Sequence, residues 1–135
     1  MVSLLTSESN DTALHIIARI LIADDVPSHR ELLRTILEVS GYEVDEAEDG
    51  EQVVARAPGF SPHLFILDLD MPKMNGCQAA IALRQLPEFE KTPIIALTAS
   101  LSQMAEQEIV DASFSEYLVK PVGPAQLRQC VMALL

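Results

Sequence analysis

Cysteine is scarce: two in 135 residues, Cys77 and Cys130, which form no C-x-x-C pair and no disulfide framework. Both are expected to be reduced, partly buried thiols, which fits a cytoplasmic address. Basic residues are also few, 9 against 20 acidic ones, for a formal charge of -11. A phosphate backbone or an anionic bilayer would repel such a chain, so nucleic acid and membrane are poor direct partners and cations are better ones. No apolar run reaches the ~18 residues of a spanning helix. The opening MVSLLTSESNDT lacks the basic and apolar regions of a signal peptide, and a soluble chain is expected.

What is present is a 49% hydrophobic content, which excludes intrinsic disorder, in a length that suits one compact domain. Residues 1–18 read as a polar tail turning apolar at ALHIIA, open to being a linker, a short extra helix or an extension of the first strand. Residues 19–135 then alternate short apolar runs with amphipathic ones. The short runs are RILIA (Arg19 to Ala23), YEVDEA (Tyr42 to Ala47), LFIL (Leu64 to Leu67), IIAL (Ile94 to Leu97) and YLV (Tyr117 to Val119). Four of the five are nearly continuous in apolar residues, as strands covered on both faces of a parallel sheet would be. The second alternates like an edge strand.

Between them lie five helical patterns. Pro27 and Ser28 open the first, Leu32, Leu33, Ile36 and Leu37 form its stripe, and Gly41 closes it. Asp49 with Gln52 resembles a capping box ahead of Val53, Val54 and Ala57. Cys77, Ala80, Ile81 and Arg84 lie on a third helix that must end before Pro87. Ser102 can cap a fourth with Met104, Ile109 and Val110. Gly123 and Pro124 start a fifth, striped by Leu127, Val131 and Leu134. Such a repeat has right-handed crossovers and makes an open α/β sheet, with its working site at the carboxyl ends of the strands.

At those ends stand Asp24 and Asp25 after the first run, Asp68 and Asp70 after the third, Thr98 after the fourth and Lys120 after the fifth. Carboxylates about 4 Å apart repel by roughly 4 kcal/mol at an effective dielectric of 20, so the cluster calls for a cation. Oxygen donors without histidine or cysteine favour a hard ion, Mg2+ over Ca2+ where few carboxylates contribute. A threonine hydroxyl and a lysine opposite suit a transferring phosphoryl group. The acidic stretch EVDEAEDGE reads as a solvated edge and loop, Gly76 as a backbone turn, and His15, His29 and His63 have no ligand spacing and receive no role.

Together, Asp24-Asp25, Asp68 in FILDLDMPKMNG, Thr98-Ala99 and Lys120-Pro121 resemble the response-regulator receiver domain of two-component signalling, from about Arg19 to Leu135. RELLRTILEVSGYEVDEAEDG and PIIALTAS resemble receivers of hybrid histidine kinases. The resemblance implies a flavodoxin-like, doubly wound five-stranded sheet in the order 2-1-3-4-5. It implies a phosphorelay function, with Mg-dependent transfer from the phosphohistidine of a histidine kinase or phosphotransfer protein to Asp68. Asp25 and Asp68 would bind the metal directly, Asp70 through its carbonyl and Asp24 mainly through water. Thr98 and the backbone after it would grip the phosphoryl oxygens, Lys120 would pair with Asp68 and then with phosphate, and Thr98 and Tyr117 would switch together. The face of the fourth helix, fifth strand and fifth helix would carry the output. The same likeness makes Lys120-Pro121 a candidate cis peptide, and Ser113 stands where such domains often have glycine. The alternatives are a haloacid-dehalogenase-like phosphatase, from Asp68-Leu69-Asp70 after an apolar strand, and a phosphorylation-independent binding module on the same fold. Oligomeric state is left open.

Overall fold

The computed structural model describes residues 16–100, 110 and 112–135. Strands β1 (Arg19–Ala23), β2 (Glu43–Ala47), β3 (Leu64–Asp68), β4 (Ile94–Thr98) and β5 (Glu116–Val119) alternate with helices α1 (Pro27–Val39), α2 (Gly50–Phe60), α3 (Gly76–Arg84) and α4 (Pro124–Leu134). A 3-10 turn, Pro87–Phe89, follows α3. The helix read from Ser102 lies outside the described residues for nearly all its length, as does most of the tail read over residues 1–18, so α4 is the fifth of the helices expected. All strand pairs are parallel and the order is β2-β1-β3-β4-β5, the doubly wound order anticipated.

Period-two alternation along the strands divides the core between the two faces of the sheet. Ile20, Ile22, Leu64, Ile66, Ile95 and Leu97 pack against Leu33, Ile36 and Leu37 of α1 and Leu127 and Val131 of α4. Leu21, Ala23, Phe65, Leu67 and Ile94 face Val53 and Ala57 of α2 and Ala79, Ala80 and Leu83 of α3. Phe65 meets Phe89 edge-on, with centroids 5.3 Å apart. Such burial stabilises by about 1.5–3 kcal/mol per large side chain, and it concentrates in β1, β3 and β4.

Three features differ from expectation. β5 is not covered on both faces: it forms the sheet edge opposite β2, with Leu118 buried and Val119 44% exposed. Leu32 is 56% exposed and leaves the apolar stripe of α1. Asp49 does cap α2 through the Gln52 amide at 2.9 Å, but the Gln52 side chain accepts from the Glu48 amide and not from the cap itself. The complete capping box is at Asn75 and Gln78, each accepting from the other's backbone N–H at 2.9 Å.

Helix ends otherwise follow the residues. α1 starts on Pro27 and closes with Gly41 at φ +97, whose amide donates to Glu38 while the Tyr42 amide donates to Leu37, a Schellman arrangement. The acidic stretch is less solvated than its composition suggests. Asp49 is buried, and Glu46 pairs with Arg30 at 3.1 Å and Arg34 at 2.6 Å, clamping α1 to β2. Ser113 adopts a left-handed φ of +53, and its carbonyl accepts from the Arg84 guanidinium at 2.9 Å.

Candidate functional site

The parallel register brings the strand ends to one rim. Leu69 donates its amide to Leu97 at 2.9 Å and Lys120 donates its amide to Thr98 at 2.8 Å, so the chain leaving β3, β4 and β5 stays in step just past the sheet. Apolar side chains fill the plane below, and polar ones begin where the strands stop. The exceptions inside the strand ends are Asp68 and Thr98, 3% and 4% exposed.

Asp24, Asp25 and Asp68 each offer a carboxylate oxygen, and these lie within 4.8 Å of one another. Asp24 and Asp68 are buried and Asp25 is exposed at the mouth. The Lys120 ammonium stands between the buried pair, 2.9 Å from Asp24 Oδ2 and 3.0 Å from Asp68 Oδ2. Asp24 is further fixed by the Val26 amide, which donates to its Oδ1 at 2.9 Å, and by Arg30, which donates to its main-chain carbonyl at 2.7 Å. The donor set is all oxygen, three carboxylates against one ammonium, which fits a hard divalent cation and leaves the site too negative without one.

Burial pushes the Asp68 carboxyl up to about 6, with the Asp24 charge adding to it; the Asp70 amide and Lys120 pull the other way without overcoming it. Lys120 is itself raised, the hydrogen bonds to both carboxylates outweighing its desolvation. The Asp68 carboxyl therefore holds its proton to a higher pH than a free carboxylate would.

Asp70 donates its main-chain N–H to Asp68 Oδ1 at 3.0 Å, and its own side chain is exposed. Thr98 sits at the rim, but its hydroxyl donates to the Ser100 carbonyl at 3.0 Å and accepts the Ser100 amide at 3.2 Å. Tyr117 stands opposite Ala96, two residues back along β4 from Thr98 and on the same face. Its ring packs edge-on to Phe114 at 5.7 Å, beside Leu69 and Cys77. The Lys120-Pro121 peptide is cis.

Gly76 differs in its reason from the turn expected of it. A Cβ there would stand 2.5 Å from the Asp68 carbonyl oxygen and 2.9 Å from a Leu69 methyl, so α3 starts flush against the backbone at the end of β3. His29, given no role from the sequence, lies in the site with Nδ1 3.3 Å from Asp24 Oδ2 and 3.4 Å from Lys120 Nζ. The signal was its place in the first turn of the helix after β1, five residues beyond Asp24. Ligand spacing among the three histidines was the wrong test. An open cleft of about 350 Å³ runs from this corner along Leu32, Leu33, Pro121 and Val122.

Residues 20–132 match the family model of the response regulator receiver domain. The transcriptional regulatory protein ResD of Bacillus subtilis is 38% identical over 117 residues, covering 87% of this chain. The chain spans only about half of that relative's length, 48%. The chemotaxis protein CheY4 of Vibrio cholerae superposes with a TM-score of 0.84 at 32% identity, covering 89% of this chain and 100% of that one. The receiver domain of the sensor histidine kinase PA1611 from Pseudomonas aeruginosa, solved with a magnesium ion in its active-site cleft, gives 0.81 at 28% identity, covering 88% of this chain and 98% of that one. Among the described residues no helix is long and apolar enough to cross a membrane.

Proposed function

The chain belongs to the response regulator receiver domain family, and from that premise we propose that Asp68 accepts a phosphoryl group from the phosphohistidine of a histidine kinase or histidine phosphotransfer protein. As a receiver domain of two-component signalling it works at the carboxyl rim of its sheet. One Oδ atom of Asp68 forms the new P–O bond while the donor's P–N bond breaks. The electron pair returns to the donor's imidazole nitrogen, and an acyl phosphate is left on the carboxyl. The observation that carries this reading is the convergence of three carboxylates, two buried and one at the mouth, with the Lys120 ammonium between the buried two.

Asp24, Asp25 and Asp68, with the carbonyl of Asp70, are the residues to hold Mg2+. When bound, the ion supplies the positive charge that lets an anionic phosphoryl group approach an anionic nucleophile. The Asp70 amide and Lys120 orient the Asp68 carboxylate from two sides. After transfer, Lys120 pairs with a phosphoryl oxygen, and the Thr98 hydroxyl exchanges Ser100 for another, with the backbone at Ala99 beside it. Phosphorylation replaces the single charge of the Asp68 carboxylate with the up to about two charges of an acyl phosphate and its acceptor oxygens, and the inward turn of Thr98 frees space for Tyr117 on the same face. The segment after β4 that the sequence reads as a helix, together with β5 and α4, then forms the output face.

Residues 1–18 are the tail or linker and 19–135 the receiver unit. The domain assists its own phosphorylation and dephosphorylation and turns over no separate substrate, and we assign it to the cytoplasm, where phosphohistidine donors reside. A phosphatase of the haloacid-dehalogenase kind is not favoured: the family matched is another, and the Asp70 side chain that would be its acid is exposed. Intact mass after incubation with Mg2+ and acetyl phosphate tests the reading. One phosphoryl group per chain is expected, and none with Asp68→Asn. Repeated turnover of a phosphomonoester dependent on Asp70 would overturn it.

A further inference from the structure

Residues 69–75 join Asp68 to α3, and the middle of that loop is strained. The Met74 amide donates to the Pro72 carbonyl at 2.7 Å, closing a three-residue turn, and Lys73 at its centre has a left-handed φ of +66. Such a turn persists only where its surroundings hold it. Among the described residues, the polar contacts that 71–74 makes with another element both go to the start of α2. Lys73 Nζ lies 3.7 Å from Asp49 Oδ2, but with 63% of the lysine side chain exposed that pair adds little. The stronger contact is the Met74 carbonyl, which accepts the Gly50 amide at 2.9 Å. Gly50 is the first residue of α2, so its amide is one of the donors that the helix itself leaves unmet. Its lack of a side chain matters equally. A Cβ at Gly50 would stand 2.8 Å from the carbonyl carbon and from the Cβ of Met74, and closer still to the carbonyl oxygen.

Resting on Asp68 as the phosphoacceptor and on the Asp70 carbonyl as a metal ligand, we propose that Gly50 is a positioning residue for phosphoryl transfer: it seats the loop that carries Asp70 against the start of α2 and so sets how the Asp70 main chain meets Asp68. The chain from Met74 back to Asp70 has little slack. It passes through Pro72, whose ring fixes one torsion, and through Met71, which is buried in the core layer of α2 and α3. At the far end of this short strut the Asp70 amide donates to Asp68 Oδ1 at 3.0 Å. A larger residue at position 50 drives Met74 outward by about 1 Å to reach an ordinary contact distance, and the Asp70 amide and carbonyl turn with it. Gly50 touches no reacting atom and acts only through the loop.

The test compares Gly50→Ala with Val131→Ala, which opens a cavity under α4 on the opposite face of the sheet and costs stability without touching the loop. At a temperature where both variants are folded, Gly50→Ala should label with acetyl phosphate and Mg2+ about tenfold more slowly than wild type and bind Mg2+ about tenfold more weakly, the low end of the loss for a group that supports a metal ligand. Val131→Ala should stay within about twofold of wild type in both, as a distant and independent site. The Asp70 amide gives a readout that stability alone does not move: its proton resonance should shift upfield in Gly50→Ala and keep its place in Val131→Ala. Rates and affinities of Gly50→Ala equal to wild type, or an equal loss in both variants, would overturn the proposal. Where Gly50→Ala does not fold, wild type decides. On addition of Mg2+ the Gly50 and Met74 amide resonances should move with that of Asp70, and a Gly50 resonance that stays fixed would overturn the proposal. A wild type that binds Mg2+ but takes no phosphoryl group would instead overturn the phosphoacceptor reading, and the Mg2+ titration would still report whether Gly50 seats the loop.

Discussion

With burial holding the Asp68 carboxyl at about 6, the folded chain without a divalent ion keeps its proton across a window in which the unfolded chain, near 3.9, has lost it. Native protein binds more protons there, so this group stabilises fully below about pH 4, and that stability is lost as pH rises through about 6. Denaturation by urea in EDTA should therefore find Asp68→Asn more stable than wild type at pH 7.5, by roughly 1–3 kcal/mol. The gap should close toward pH 4. A variant less stable than wild type at pH 7.5 would mean that the pairing with Lys120 outweighs the burial. Single residues were legible where chemistry and chain position coincide, as for Asp24, Asp25, Asp68 and Lys120 at the ends of apolar runs. His29 was not, because a helix turn brings it back over β1 and no spacing rule marks that return.

Among the elements, strands were the most legible, since a run of buried β-branched and leucine side chains reads the same in sequence and in space. β5 escaped that logic: its apolar residues resemble those of a central strand, and only the order of the sheet makes it an edge. Helix ends depended on which side chain reaches which amide, so the pairing at Asp49 read correctly for one bond and not for the other, while Asn75 passed unnoticed. Glycine replacement separates two kinds of element boundary. Gly59, near the end of α2, has open space where a Cβ would stand, and Gly59→Ala should stabilise by about 0.5–1 kcal/mol. Gly76→Ala should destabilise by about 1–3 kcal/mol, the range for an overpacked site, because the new methyl meets backbone at 2.5 Å. It should also slow labelling, since that backbone belongs to Asp68. Thermal melts of the two variants, with acetyl phosphate labelling alongside, check both statements.

For the molecule as a whole, a net charge of -11 means that any cation will stabilise by screening, and a chelating site must be separated from that background. Mg2+ at a hundred times its dissociation constant should add about 2.7 kcal/mol to folding, raising the melting temperature by several degrees. NaCl at equal ionic strength should add less, and Asp25→Asn should remove most of the difference. Equal shifts from both salts would argue against a site. The doubly wound architecture was legible from alternation, but the strand order came from resemblance alone, because periodicity cannot say which strand lies beside which.

The pairing of Thr98 with Val119, one step short of Lys120, has a consequence for how this domain can vary. Replacing one side chain leaves every other strand residue aimed as before. Adding or deleting a single residue between Tyr117 and Lys120 would turn the lysine toward the opposite layer and bring Pro121 or Val119 to the rim instead. The domain therefore forgives spelling errors in its last strand far more readily than errors of counting.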